Sequence, residues 1–343
     1  MQRDQLRRNE HILVTGAPRT GTTFLGHVIA MAQGVGYVRE PFNSDFGLKN
    51  LPHQFLYLYE GMEDEARFKR MAADLVDGRA VFKRMPVRKA KDRKQALGRA
   101  IFGSGSNYSY LKAKYNPAVS RYLLKDPMAC LASEYLHKQL GVQVVIVVRH
   151  PMPTIASMRR VNLDHQLDVL VRQKHLYDLY LKDILGGVRL DRLSSLERRS
   201  LLWACLNYVM YQFTRYDDSY SIVAHGALSA NPVQYARSLY AKLDLEFTPQ
   251  IEARIRAMTE GENSPGRLTN STMHVLNRNS RKLISRDYCK FDPGEERVIH
   301  SLTDDVVKLF YRSAEWPQPL ASPLHAEVSV TPMSAPMPTS ATS

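Results

Sequence analysis

Cysteine is scarce. The chain holds three in 343 residues, Cys130, Cys205 and Cys289, with no Cys-x-x-Cys spacing, which excludes a disulfide-built scaffold and a structural zinc site. They are expected to be reduced and structural. Long apolar runs are also missing: nothing approaches the roughly 20 consecutive apolar residues that span a bilayer. Met1 to Glu10 is polar and charged where a secretory leader would need an apolar segment. A soluble cytoplasmic protein without a membrane span is therefore expected. Acidic residues are in deficit, 34 Asp and Glu against 47 Lys and Arg, and the formal charge of +13 calls for an anionic partner. The basic residues are scattered and carry no zinc-finger, homeodomain or RNP pattern, so nucleic acid is not expected. A polyanionic nucleotide, or an acidic glycan or lipid, fits the charge. Metal is not expected either, because Asp164, His165 and His175 match no common zinc spacing.

What is present suffices for a full-sized core, with 44% hydrophobic and 24% charged residues. The chain is organised around 11–25, His-Ile-Leu-Val-Thr-Gly-Ala-Pro-Arg-Thr-Gly-Thr-Thr-Phe-Leu, which has the pattern of a buried strand, a tight turn and a helix start. A glycine-bounded turn of this kind aims unpaired backbone N–H groups at one point, where the helix dipole adds to their pull on an anion. The spacing of Gly16 and Gly21 matches the triphosphate loop G-x-x-x-x-G-K-[ST], but Thr22 replaces the lysine that reaches the β and γ phosphates. Arg19 supplies charge instead, and Thr20, Thr22 and Thr23 supply hydroxyls.

Further strands are expected at Val35 to Val38, Ala80 to Phe82, Arg121 to Leu124, Gln143 to Val148 and Ser221 to Ala224. Helical spacing covers 22–32, 62–75, 128–140, 163–185, 194–216, 233–243 and 293–311. Glu40 follows the second strand, where open α/β sheets place their ligands, and is a candidate base for an acceptor hydroxyl. Lys125 ends another strand; it either caps that strand by pairing with Asp126 or serves the reacting group. Arg149 stands at the tip of the most apolar strand, and Ser157 lies a turn or two into the following helix. A guanidinium fork and a hydroxyl so placed make a second phosphate site. The basic run Lys83 to Lys94 is either a solvated face or a groove for an acidic acceptor. Gly103 to Tyr108 has the composition of a flexible lid or spacer. Beyond Trp316, the Pro, Ser, Thr and Ala composition predicts a disordered tail.

The run Gly16-x-Pro18-Arg19-Thr20-Gly21-Thr22-Thr23 resembles the 5′-phosphosulfate loop of sulfotransferases that use 3′-phosphoadenosine 5′-phosphosulfate (PAPS). Arg149 with Ser157 resembles their 3′-phosphate element, with His150 where relatives carry Asp. Glu40 and Lys125-Asp126-Pro127 resemble elements of the carbohydrate and tyrosylprotein type. At 225–232 the family's Tyr-Glu-Asp-Leu pattern has lost its acidic pair. The resemblance implies a three-layer α/β, P-loop-like fold with a central, mostly parallel sheet of about five strands and helical insertions. It covers 11–315, between a polar extension (1–10) and the tail (316–343). It also implies sulfuryl transfer from PAPS, leaving 3′-phosphoadenosine 5′-phosphate (PAP), to a small-molecule or glycan acceptor without a metal. In that scheme Arg19, Thr20, Gly21, Thr22, Thr23, Arg149 and Ser157 bind the donor, and Glu40, Lys125 and Arg19 carry the chemistry. The nucleotide loop that relatives fold over the donor falls at 263–281. A small-molecule kinase and a non-catalytic nucleotide binder remain as alternatives.

Overall fold

The computed structural model describes residues 11–163, 166–259 and 291–311. The extension at 1–10, the loop at 263–281, the tail at 316–343, and Asp164, His165 and Cys289 lie outside them.

Five parallel strands form one sheet in the order β2-β3-β1-β4-β5: β1 (Ile12–Thr15), β2 (Val35–Arg39), β3 (Arg121–Lys125), β4 (Gln143–Val148) and β5 (Ser221–Ala224). β1 lies between β3 and β4, with Leu13 opposite Leu124 on one side and Val144 on the other. Side chains alternate between the two faces. Ile12, Val14, Val145 and Val147 pack into one core, while Leu13, Val144, Ile146 and Val148 pack into the other. Burial on both faces explains why β1 and β4 are continuous apolar runs.

In chain order the helices include α1 (Thr22–Ile29), α2 (Glu65–Val76), α3 (Arg93–Phe102), α4 (Gly105–Lys114), α5 (Ser133–Leu140), α6 (Pro151–Arg159), α7 (Ser195–Thr214), α8 (His225–Ala230), α9 (Pro232–Lys242), α10 (Pro249–Thr259) and α11 (Pro293–Phe310). The first core is closed by α1, α9 and α10, and the second by helices that include α2, α5, α7 and α11. α7 starts at a capping box in which Ser194 and Glu197 satisfy each other's backbone N–H, and it buries Trp203, Leu206 and Met210. Tyr240 of α9 donates its hydroxyl to the Val28 carbonyl at 2.5 Å, tying the C-terminal helices to α1.

Four expectations are corrected. Ala80 to Phe82 is no strand: Phe82 makes a single antiparallel bridge to Leu48. Gly103 to Tyr108 is neither lid nor spacer. Gly103, at φ 77°, ends α3 and Ser104 caps α4 by accepting the Asn107 N–H, so two residues turn one helix into the next. The helix expected over 128–140 opens as a 3-10 turn, Pro127–Ala132, because the Asp126 side chain takes the Met128 N–H. The helix expected over 163–185 is broken into Gln166–Val171, Lys174–Leu176, a π turn at Tyr177–Leu181, and Lys182–Leu185. The break falls at Gln173, whose side chain accepts the Tyr57 N–H at 2.7 Å and donates to the Phe55 carbonyl at 2.9 Å.

Candidate functional site

Each strand delivers a distinctive residue at its C-terminal end: Gly16 after β1, Glu40 after β2, Lys125 closing β3, Arg149 after β4 and His225 after β5. Parallel strands bring all five ends to one edge of the sheet, where ligands of open α/β folds bind.

The β1–α1 turn is held by backbone geometry. Gly16 (φ 149°), Arg19 (φ 74°) and Gly21 (φ 102°) all take positive φ. A side chain at Gly16 would put Cβ 2.3 Å from the Val147 carbonyl oxygen, and one at Gly21 would meet the His225 ring at 2.5 Å. Thr20 locks the turn by donating its hydroxyl to the Ala17 carbonyl at 2.8 Å. No side chain caps α1, and no acid lies in its first turn. The amides at its start, at Thr22 and Thr23, lack an intrahelical acceptor and are positioned for an anion.

The expected second phosphate element converges on the same turn. Arg19 Nε donates to Ser157 Oγ at 3.0 Å, and Arg149 donates through an Nη to the Arg19 carbonyl at 3.2 Å. The Arg149 carbonyl in turn accepts the indole N–H of Trp203 at 3.0 Å, so a core helix fixes the strand tip. Arg19, Arg149 and Ser157 are thus neighbours around one turn. The His150 ring meets Tyr311 edge-on at 6.0 Å. Burial, with Arg149 and His300, lowers its pKa to about 4, so it is neutral at pH 7.

The other half of the edge is a buried ion cluster. Lys125, 2% exposed, is ion-paired to Glu40 Oε1, and Asn43 donates to Glu40 Oε2 at 3.3 Å. The Lys125 chain runs tightly past Gly26 of α1, where a Cβ would sit 2.9 Å from its Cγ. Glu40 takes a left-handed backbone, φ 44°, and its N–H bonds to the Lys125 carbonyl at 2.8 Å, which turns its carboxylate towards the lysine. Burial pushes the Glu40 pKa up, but Lys125 first, together with Arg39 and Asn43, outweighs it and holds the carboxyl below its ordinary value. Lys125 therefore does not take the Asp126 pairing. Asp126 is buried and accepts the backbone N–H groups of Phe42 and Met128, the latter at 2.9 Å. Burial first, then Glu40, pushes its pKa up to about 7.

Two residues here were missed by sequence reasoning. His225, packed against Gly21, is kept neutral by burial and by Arg149; its place directly after a strand was the available signal. Asp126 binds the Glu40 turn to β3, which no local pattern reveals. Thr23 is half-buried at the second position of α1, and Thr22 is buried at the first. Among the described residues, no group of three or more His, Cys, Asp or Glu side chains is placed to hold a metal ion, and no helix is long and apolar enough to cross a membrane.

No curated protein sequence matches significantly. Among solved structures, the chain is similar to the sulfotransferase domain of a Synechococcus olefin synthase (13% identity, TM-score 0.41, covering 85% of this chain and 93% of that one). It is also similar to a mouse sulfotransferase solved with PAP (14%, TM-score 0.40, 88% and 85%) and to a Mycobacterium avium sulfotransferase (15%, TM-score 0.38, 83% and 77%). The model of the sulfotransferase family matches residues 11–249, well over half of the sequence, and the chain belongs to that family.

Proposed function

We propose that this sulfotransferase moves the sulfuryl group of PAPS to a hydroxyl or amine of a small-molecule or glycan acceptor, without a metal. The observation that supports it most is the meeting, at one sheet edge, of an anion-seeking turn carrying Arg19 with the Lys125–Glu40 pair. Arg19 and the amides of Gly21, Thr22 and Thr23 hold the 5′-phosphosulfate, with Thr20 keeping the turn in shape. Arg149 and Ser157 hold the 3′-phosphate. Such donors are strongest where charge develops, here on the leaving phosphate oxygen.

In the step itself the acceptor oxygen or nitrogen forms the new bond to sulfur. The bond from sulfur to the 5′-phosphate oxygen breaks, its electron pair leaves with PAP, and the acceptor proton passes to the Glu40 carboxylate. A base held below its ordinary pKa is a weak one. Lys125 resolves this by sharing its charge with the leaving group, so that burial of Glu40, no longer fully offset, raises its basicity as the proton must be taken.

The test is transfer of radiolabelled sulfate from PAPS to a panel of hydroxyl and amine acceptors in excess chelator. Sulfated product formed under chelation is expected. Magnesium-dependent ATP turnover with no sulfate transfer would overturn the proposal in favour of a kinase.

A further inference from the structure

No residue between Phe82 and Tyr110 enters the proposed transfer step, and the surface of this segment is unusual. Lys83, Arg84, Arg88, Lys89, Lys91, Arg93, Lys94 and Arg99 face a single acid, Asp92. α3, in the middle of it, buries no residue at all. Two large apolar side chains of α3 point outward: Leu97 is 63% exposed and Ile101 58%, four residues apart on one helical face, with Arg93 and Lys94 one turn before them. Val87, 45% exposed in the 3-10 turn Val87–Lys89 beside α3, adds to the apolar surface, as does Tyr108 of α4. An apolar strip in water is unfavourable unless something covers it.

The face is built rather than loose. Arg99 donates to the Pro86 carbonyl at 2.9 Å and Arg84 to the Ala100 carbonyl at 2.8 Å, pinning the turn to α3. Lys83 is directed inward, to the Ser44 carbonyl at 2.6 Å. These three cations hold structure, and Arg88, Lys89, Lys91, Arg93 and Lys94 remain exposed around the apolar strip.

We propose that this face docks on an anionic phospholipid surface. Leu97, Ile101 and Val87 would enter the headgroup boundary, and the exposed Lys and Arg side chains would lie against the headgroups. Charge of one sign beside an outward apolar strip is the pattern of an interfacial helix. A soluble polyanion would use the charges but leave Leu97 and Ile101 in water. The face stands at the β2 edge of the sheet, since Ser109 of α4 accepts the Arg39 N–H at 2.9 Å, one residue before Glu40. Docking therefore brings the acceptor side of the enzyme close to the bilayer.

Co-sedimentation of the full chain with phosphatidylcholine vesicles, with and without phosphatidylserine, tests this. Binding to the anionic vesicles only is expected. Leu97→Ser with Ile101→Ser should lower partitioning by about tenfold or more, and Arg93→Glu with Lys94→Glu by about fivefold or more for each charge. Far-UV circular dichroism and PAP affinity should stay unchanged, because neither pair is buried or at the nucleotide turn. No sedimentation with anionic vesicles, or parent-like sedimentation of the Leu97/Ile101 pair, would overturn the proposal. Retention on heparin without vesicle binding would overturn it too, identifying a soluble polyanion as the occupant.

Discussion

At the β1–α1 turn, the backbone shape is set within a few residues by two glycines, a locking threonine and a helix start that nothing caps, although Arg149 and Ser157 reach it from far along the chain. Across the same sheet edge, the Glu40–Lys125 pair joins residues 85 apart in sequence, and Asp126 bonds back to Phe42 from a similar distance. The first half presents backbone amides, whose orientation is fixed by φ and ψ. The second half holds ionised side chains away from water, where each depends on the others for its charge state. A local turn should tolerate side-chain changes and fail on backbone changes. A buried ion cluster should do the reverse.

The largest effect that would sharpen this contrast is on chemistry alone. Glu40→Gln keeps the shape and removes the proposed base, so transfer at saturating PAPS should fall by roughly 10²- to 10⁴-fold. PAP affinity measured by calorimetry should stay at the parent value. Single-turnover rates near those of the parent would make Glu40 a turn residue and break the contrast.

Next comes Lys125→Met, which leaves Glu40 and Asp126 as buried acids without their cation. A loss of about 3–5 kcal/mol at neutral pH is expected in urea unfolding, the usual consequence of removing one partner from a buried pair. The acidic limb of the transfer pH profile should move to higher pH, since Lys125 is what holds the Glu40 carboxyl below its ordinary value. An unmoved limb would show that Lys125 does not govern the base.

Legibility in the sequence divides along the same line. The turn, the strand order of events and the helix after each strand follow from glycine spacing and apolar runs, because those signals are short-range. Gln143 to Val148 was plain as a central strand, and β4 is that strand. The pairing of Lys125 was not: adjacent Asp126 is the obvious partner in sequence, but strand register sets Arg39 opposite Lys125 and so brings Glu40 to it. His225 could be placed after a strand, but its partner could not, since only the folding of β5 beside β4 carries it to Gly21. The broken helix at Gln173 depends on a side chain reaching back to the Phe55–Tyr57 segment, which no periodicity encodes.

A smaller effect concerns pH and stability. The Asp126 carboxyl has its pKa pushed from 3.8 to about 7. Between those values the folded chain holds a proton that the unfolded chain has released, so this group's contribution falls as pH rises through that window. Glu40 acts oppositely: its lowered pKa contributes stability that is lost as pH falls below its ordinary 4.5. Asp126→Asn should flatten the decline above pH 3.8. It should also lose about 1–3 kcal/mol, because one of the two backbone N–H groups is left unbonded. A slope identical to that of the parent in urea titrations would place the titrating group elsewhere.

The central claim is that the turn and the Arg149–Ser157 element together grip a nucleotide phosphorylated at both ends. The most direct measurement is a calorimetric cycle of PAP and adenosine 5′-phosphate binding to the parent and to Arg149→Ala. The account predicts that the parent prefers PAP by roughly 10- to 100-fold, the worth of a charge-assisted hydrogen bond, and that Arg149→Ala loses most of that preference. Equal affinity of the parent for the two nucleotides, or a preference that survives in Arg149→Ala, would contradict it.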